Sequence, residues 1–206
     1  MTIILFLKIF TVCLLGAMSP GPSMVVVINN AIFKNRFNGI LTALGHGFGI
    51  GIYALCAVLG IGLIIETNIL IFRAIQSLSI LFLFYLGIQS IRSNSELDFK
   101  GNEFTSGIKS FLQGLTISIL NPKIFVWFIA IYSQFMSVTN NLSLNISLIL
   151  IACIVDALWY IILVNFVTSR NVFEFVKNKS KLIQKIIGYL FIFISIGLVV
   201  NMYTLY

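Results

Sequence analysis

The sequence contains few charged residues. Only 9% of its 206 residues are charged, whereas 59% are hydrophobic, and the mean hydropathy is +1.07. Water-soluble domains carry about 25% charged residues, so the composition excludes a soluble fold. One membrane-spanning helix needs about 20 mostly apolar residues. The chain therefore has room for one compact transmembrane domain, residues 1–206, and for no second domain.

Residue types that bind metals or perform catalysis are also scarce. The chain has one His and three Cys, and we find no zinc-protease, hydrolase-elbow or phosphate-loop motif and no paired Cys and His ligands. Cys13, Cys56 and Cys153 each lie inside an apolar run, where thiols usually behave as small hydrophobic groups. We therefore expect no enzyme activity, no catalytic residue, no metal and no cofactor.

Long apolar runs recur along the chain and predict an all-α membrane protein with six transmembrane helices. In lipid every backbone amide must be hydrogen bonded within its own segment, which favours helices. The first run could pass for a secretory signal, but apolarity resumes at Met24, so we interpret it as a retained helix. The predicted spans are residues 3–28, 39–65, 69–91, 111–136, 142–168 and 182–205.

Basic residues are distributed unevenly between the connections. The first, third and fifth connections carry most of the 13 basic residues, namely Lys34, Arg36, Arg92, Lys100, Lys109, Arg170, Lys177, Lys179, Lys181 and Lys185. The net charge of +7 therefore reflects membrane topology and not a nucleic-acid surface. The positive-inside rule places these connections in the cytoplasm and both termini outside, in a multi-pass membrane protein.

All three prolines lie within apolar runs, Pro20 and Pro22 in the first and Pro122 in the fourth. Proline breaks the helical hydrogen-bond ladder, and a break at membrane depth is tolerated where it is buried in protein or lines a wet cavity. The halves 1–95 and 105–206 each open with such a helix and have three spans, which predicts two inverted repeats. Paired broken helices mark the substrate site in transporters of this build, although the kinks could also serve packing alone.

Residues 16–22, GAMSPGP, match a segment that defines one family of membrane transporters. The sequence thereby resembles the LysE/RhtB family of amino-acid and homoserine exporters, which implies a location in a bacterial inner membrane. Further matches follow in the family's order at residues 45–51, 85–87, Arg92, 111–115, 121–123, 133–135, Asp156 and Trp159. The resemblance implies that the chain is a secondary transporter that exports an amino acid or a related small polar metabolite, driven by proton antiport.

Two charged residues lie deep inside apolar runs. Asp156 lies near the middle of the fifth run, where an ionised carboxylate is costly, so it is our main candidate for proton coupling. Lys123 directly follows the Asn-Pro break and is the expected partner of Asp156, unless its ammonium binds the carboxylate of a substrate. The alternatives are that Asp156 only ties helices together and that Lys123 extends to the membrane interface.

The only histidine, His46, lies among the glycines of the second span. It is a second candidate for proton coupling, although a role in helix packing is favoured. The glycines form two small-xxx-small spacings, at positions 45 and 49 and at positions 47 and 51, which predict close approach of neighbouring helices.

Polar and backbone groups at the two breaks complete the predicted translocation site. Hydroxyl, amide and backbone groups there could orient a zwitterion, or they could cap the freed helix ends. Gln134 is a weaker candidate at the end of its span. The predicted substrate-binding residues are Ser19, Pro20, Gly21, Pro22, Asn121, Pro122, Lys123 and Gln134.

Two other functions are compatible with a small bundle of this kind. A membrane thiol-electron carrier can also use two broken helices, but it needs a cysteine pair at the breaks, and neither break has one. The second alternative function is that of a structural membrane subunit, and the charges of Lys123 and Asp156 argue against it. The expected partners are the small-molecule substrate, protons and the lipid bilayer, with no nucleic acid and with a homodimer left open.

Overall fold

The structure is a computed structural model that describes residues 3–93, 106–135 and 142–204. Within these ranges every regular element is helical. The elements are α1 (Ile3–Met18), α2 (Pro22–Asn29), a π-helical turn (Asn30–Lys34), α3 (Arg36–Thr67), α4 (Ile69–Arg92), α5 (Gly107–Ile119), α6 (Pro122–Phe135), α7 (Leu142–Val167) and α8 (Arg170–Thr204).

The described helices confirm a protein with multiple membrane spans. Four of them, α3, α4, α7 and α8, are long and apolar enough to cross a bilayer. Two bent pairs, α1 with α2 and α5 with α6, also meet this condition if each pair is counted as one span, which gives six. The relation between the two halves as inverted repeats remains a prediction.

The two bends coincide with the prolines. The axis turns by 70° between α1 and the segment that begins with α2, and by 61° between α5 and α6. Pro22 and Pro122 are the first residues of α2 and α6, the helical position where the missing N–H of proline has no intrahelical partner in any case. Both predicted breaks are therefore confirmed.

The glycines of α3 allow two helices to approach it closely on two faces. A methyl group at Gly45 would lie 2.0 Å from the backbone oxygen of Phe111 on α5. On another face, a methyl group at Gly47 would lie 2.6 Å from the Cβ of Ala157 on α7. Both predicted glycine spacings are confirmed as contact surfaces, and they make α3 the helix on which α5 and α7 pack.

The helices of the third and sixth spans are also in close contact. A methyl group on Gly87 of α4 would lie 2.8 Å from the backbone oxygen of Gly188 on α8, and the reverse distance is 2.7 Å. Near the same region the hydroxyl of Ser90 donates to the backbone oxygen of Gln184, 2.8 Å away. These contacts join α4 and α8 through a pair of small residues.

Two predicted boundaries are wrong. The sixth span was expected to begin at residue 182, but α8 begins at Arg170, so the basic residues at 177, 179 and 181 lie on a helix and not in a connection. Those three side chains are exposed, which allows their charges to stay hydrated while the helix continues. Lys34 was expected in a connection, but it ends the π-helical turn and is buried, and its ammonium donates to the Oε1 of Gln113, 3.1 Å away.

The basic connections meet at one end of the bundle. At the start of α3, the guanidinium of Arg36 donates to the Oδ1 of Asn165 at the end of α7, 2.6 Å away. Also near the start of α3, Asn38 accepts a hydrogen bond from Ser110 at the start of α5, with 3.3 Å between the oxygens. The ends of the first, third and fifth connections therefore share one side of the bundle.

Candidate functional site

A narrow cavity with both polar and apolar walls lies where the two helix breaks meet. Its volume is about 50 Å³, which is room for a few water molecules. Binding of a larger ligand therefore requires the lining helices to move apart. Six of the residues predicted from the sequence line this central cavity, namely Ser19, Gly21, His46, Asn121, Lys123 and Asp156.

Side chains from the two breaks contact each other across the central cavity. The ammonium of Lys123 donates to the hydroxyl of Ser19, and the amide nitrogen of Asn121 donates to the hydroxyl of Ser23, 3.3 Å away. The Oδ1 of Asn121 also accepts from the backbone N–H of Lys123 at 3.1 Å, which caps the start of α6. Ser19 and Asn121 therefore each take part in a side-chain hydrogen bond that joins the two breaks, and Asn121 also caps α6.

The breaks make this part of the cavity electropositive. Both α2 and α6 begin at it, and helix N-termini carry partial positive charge and unsatisfied N–H groups. The half-buried ammonium of Lys123 adds a full positive charge beside them. This combination favours an anionic group such as a carboxylate.

Asp156, which also lines the cavity, is hydrogen bonded to His46. The Nδ1 of His46 lies 2.6 Å from the Oδ2 of Asp156, and the two residues are 1% and 5% exposed. The expected pairing of Asp156 with Lys123 is therefore wrong: the lysine instead reaches Ser19, on the same side as the helix breaks. A buried carboxylate next to an imidazole can take up or release a proton while keeping a hydrogen-bonded partner.

Two buried polar atoms in the cavity have no hydrogen-bond partner among the residues that the structure describes. They are the Nε2 of His46 and the indole Nε1 of Trp127. Buried polar groups are normally paired with protein or with water, so each of these atoms is a position where a ligand or water can bind. The indole N–H is a donor, and the role of the imidazole nitrogen depends on its tautomer.

Among the cavity residues that were not predicted from the sequence, three carry a hydroxyl or an indole N–H, namely Ser23, Trp127 and Tyr160. Tyr160 packs edge-on against the His46 ring, with 4.9 Å between the ring centres. Their positions relative to the predicted site residues could have indicated them. Ser23 follows Pro22 directly, Tyr160 lies one helical turn after Asp156, and Trp127 lies in the second turn of α6.

The other predicted residues have different positions. Pro20 is buried in the break between α1 and α2, and Pro22 and Pro122 begin α2 and α6, where they define the breaks. Gln134 lies near the end of α6, and its side chain is outside the part of the chain that the structure describes.

The apolar spans and the shared cavity at two helix breaks define a polytopic α-helical membrane protein of the transporter type. The family profile described as LysE type translocator matches residues 14–202, and the chain belongs to this family. The predicted family resemblance is confirmed, and the family is one of translocators.

Several curated proteins are similar over most of their length. The threonine efflux protein of Escherichia coli (strain K12) is 24% identical, with 97% of this chain and 99% of the relative covered. The leucine efflux protein of Salmonella choleraesuis is 26% identical, with 84% of each covered. An uncharacterized membrane protein, YrhP, of Bacillus subtilis is 28% identical, with 82% of this chain and 86% of the relative covered. No solved structure gives a significant match.

Proposed function

We propose that this protein exports an amino acid from the bacterial cytoplasm across the inner membrane in exchange for protons. The observation that carries the proposal is the central cavity, which holds an anion-binding side at Lys123 and a titratable pair at His46 and Asp156. Family membership and the relatives named as threonine and leucine efflux proteins support amino-acid export.

In this proposal the substrate carboxylate binds between the two helix breaks. Lys123 and the N-termini of α2 and α6 provide the positive charge, and Ser19 is displaced from the lysine as the carboxylate takes its place. The indole N–H of Trp127 is a further donor on the cavity wall. The surrounding apolar walls strengthen these contacts, because they exclude water from the charged groups.

The proton is carried by the pair of His46 and Asp156. The pair takes a proton when the cavity faces outside and releases it when the cavity faces the cytoplasm, where the substrate then binds. Burial makes an isolated charge on either residue unfavourable. In this proposal the pair exchanges a proton when the cavity opens to water, so its protonation depends on which side of the membrane the cavity faces. This dependence links proton movement to the direction in which the cavity opens.

The orientation follows from the basic end of the bundle. The end that carries Arg36, Lys109 and Arg170 faces the cytoplasm in this proposal, so both termini are external. The contacts of Arg36 with Asn165 and of Ser110 with Asn38 support a common side for these connections.

The proposal is tested by measuring all amino acids in the medium of cells that express the protein and of cells that do not. We expect expression to raise the external level of one or a few amino acids. Lys123→Met should abolish this rise with the protein still in the membrane, because it removes the positive charge at the breaks. Lys179→Met, which removes an exposed lysine from α8, is the matched control and should export normally. No change in any amino acid on expression, or normal export by Lys123→Met, would contradict the proposal.

A further inference from the structure

A second cavity lies outside the central one, between α5 and the segment formed by α2 and the π-helical turn. Its volume is about 480 Å³, far larger than that of the central cavity. We refer to it as the α2–α5 groove and define it by its polar residues, Asn29, Asn30, Lys109, Gln113 and Thr116.

The α2–α5 groove runs from the basic end of the bundle toward the helix break. Its residues on α5, Lys109, Gln113 and Thr116, follow each other at helical spacing and lie on one face. Leu120 continues the same face and is adjacent in sequence to Asn121 of the central cavity. The groove therefore begins at the predicted cytoplasmic end and stops next to the proposed substrate site.

One buried polar atom in the α2–α5 groove has no hydrogen-bond partner among the described residues. It is the Oδ1 of Asn29, whose residue is only 8% exposed. Buried acceptors are normally paired with protein or with water, so this oxygen is a position for a donor from a ligand or from water. Asn29 is therefore a built acceptor position that the protein itself does not use.

The charge of the α2–α5 groove complements this acceptor. Lys109 contributes an exposed ammonium, and none of the described residues that line the groove is acidic. A ligand with a carboxylate for Lys109 and an ammonium for Asn29 would satisfy both groups. Free amino acids have these two groups on one small molecule.

Hydrogen bonds of Asn30 connect the groove to α3 and α5 near the central cavity. The amide nitrogen of Asn30 donates to the hydroxyl of Thr42 at 2.7 Å and to the Oε1 of Gln113 at 2.9 Å. Thr42 lies on α3 one turn before His46, which lines the central cavity. Asn30 thus links the groove to α3 at a position one helical turn from the central cavity.

We propose that the α2–α5 groove is a second binding site, which takes the amino acid from the cytoplasm before it enters the central cavity. This inference rests on the proposed export function. It assigns Asn29 and Lys109 to recognition of the ammonium and carboxylate of the substrate.

The test uses single cysteines in a variant whose three native cysteines are replaced by Ala. Two variants probe the sites: Thr116→Cys lies in the groove and Ala17→Cys lies in the central cavity. Two others are controls: Lys179→Cys lies at the basic end of the bundle, and Leu158→Cys lies at an exposed apolar position in the middle of α7. Each is reconstituted in liposomes and treated with a membrane-impermeant thiol reagent, with and without L-threonine or L-leucine.

We expect Thr116→Cys to react from the same side as Lys179→Cys, whereas Leu158→Cys stays unreactive. An amino acid at ten times its Kd should slow the reaction of Thr116→Cys about tenfold, because occupancy follows mass action. Adding Asn29→Leu should remove this protection at position 116 and leave the protection of Ala17→Cys in place.

Three results would overturn the inference. Thr116→Cys could be as unreactive as Leu158→Cys, which would make the groove a lipid-facing surface. It could react without protection while Ala17→Cys is protected, in which case the export proposal stands and the second site does not exist. If neither amino acid protects either position, the groove site and the export of these two amino acids are both contradicted.

Discussion

The imidazole of His46 on α3 and the carboxylate of Asp156 on α7 form a buried hydrogen bond, with 2.6 Å between Nδ1 and Oδ2. The two helices are the second and fifth spans, which correspond to each other in the predicted halves. The bond depends on close packing, because Gly47 next to His46 lies against Ala157 next to Asp156. The small residues beside the pair thus position the groups that we propose to carry the proton.

The energetic dependence of this pair on both partners can be measured. His46→Leu leaves the carboxylate buried without its partner, and breaking a buried pair costs about 3–5 kcal/mol. Replacing both residues, with His46→Leu and Asp156→Leu together, should be less destabilising than the sum of the two single changes, with a coupling of about 0.5–3 kcal/mol. The measurement is thermal unfolding in detergent of the unmodified protein, the two single variants and the double variant. Strict additivity of the changes in stability would show that the two groups do not interact.

Close packing between α3 and α5 is predicted to tolerate no methyl group at Gly45. Gly45→Ala places a methyl group 2.0 Å from a backbone oxygen of α5, so the helices must separate, and we expect a loss of about 1–3 kcal/mol or more. Gly60→Ala on the same helix is the control, because no heavy atom lies within 4 Å of the added methyl group. Melting temperatures in detergent should fall for the first variant only. Equal values for the two would contradict the described contact.

The helix breaks are predicted to be necessary for export. Replacing Pro20, Pro22 and Pro122 together by Ala allows continuous helices and withdraws the exposed backbone groups from the cavity. We expect the triple variant to reach the membrane and to lose amino-acid efflux. Efflux at the wild-type level would mean that the breaks only shape helix packing.

The orientation in the membrane is predicted from the basic end of the bundle. A single cysteine at position 179 should react with an impermeant reagent only after the cytoplasmic side is made accessible. A cysteine at Asn68, the exposed residue between α3 and α4 at the other end of α3, should react in intact cells. The reverse labelling pattern would invert the topology and with it the direction of the proposed exchange.

Much of the fold could be predicted from the sequence, because lipid imposes simple rules. The length of the apolar runs predicted the membrane spans, and Pro22 and Pro122 predicted the two helix breaks. The glycine spacings predicted the faces of α3 that contact other helices. The start of α8 could not be found in this way. Hydropathy detects the apolar part of a helix, and the first turns of α8 are rich in basic residues.

Pairings within the site were harder to predict than its members. Most of the chosen residues line one cavity, yet Lys123 was expected to meet Asp156 and contacts Ser19 instead. Opposite charge suggested the first pairing, whereas the rotation of each helix about its axis decides which residues meet. That rotation is fixed by contacts such as Gly47 against Ala157, which link distant parts of the chain.

The central claim, that Asp156 couples export to protons, is tested most directly with Asp156→Asn in proteoliposomes. The asparagine keeps the shape and a hydrogen bond to His46 but cannot ionise. We predict that the variant retains counterflow of labelled amino acid, which needs no net proton movement, and loses uphill transport driven by an imposed pH step. Uphill transport at the level of the unmodified protein would contradict the claim.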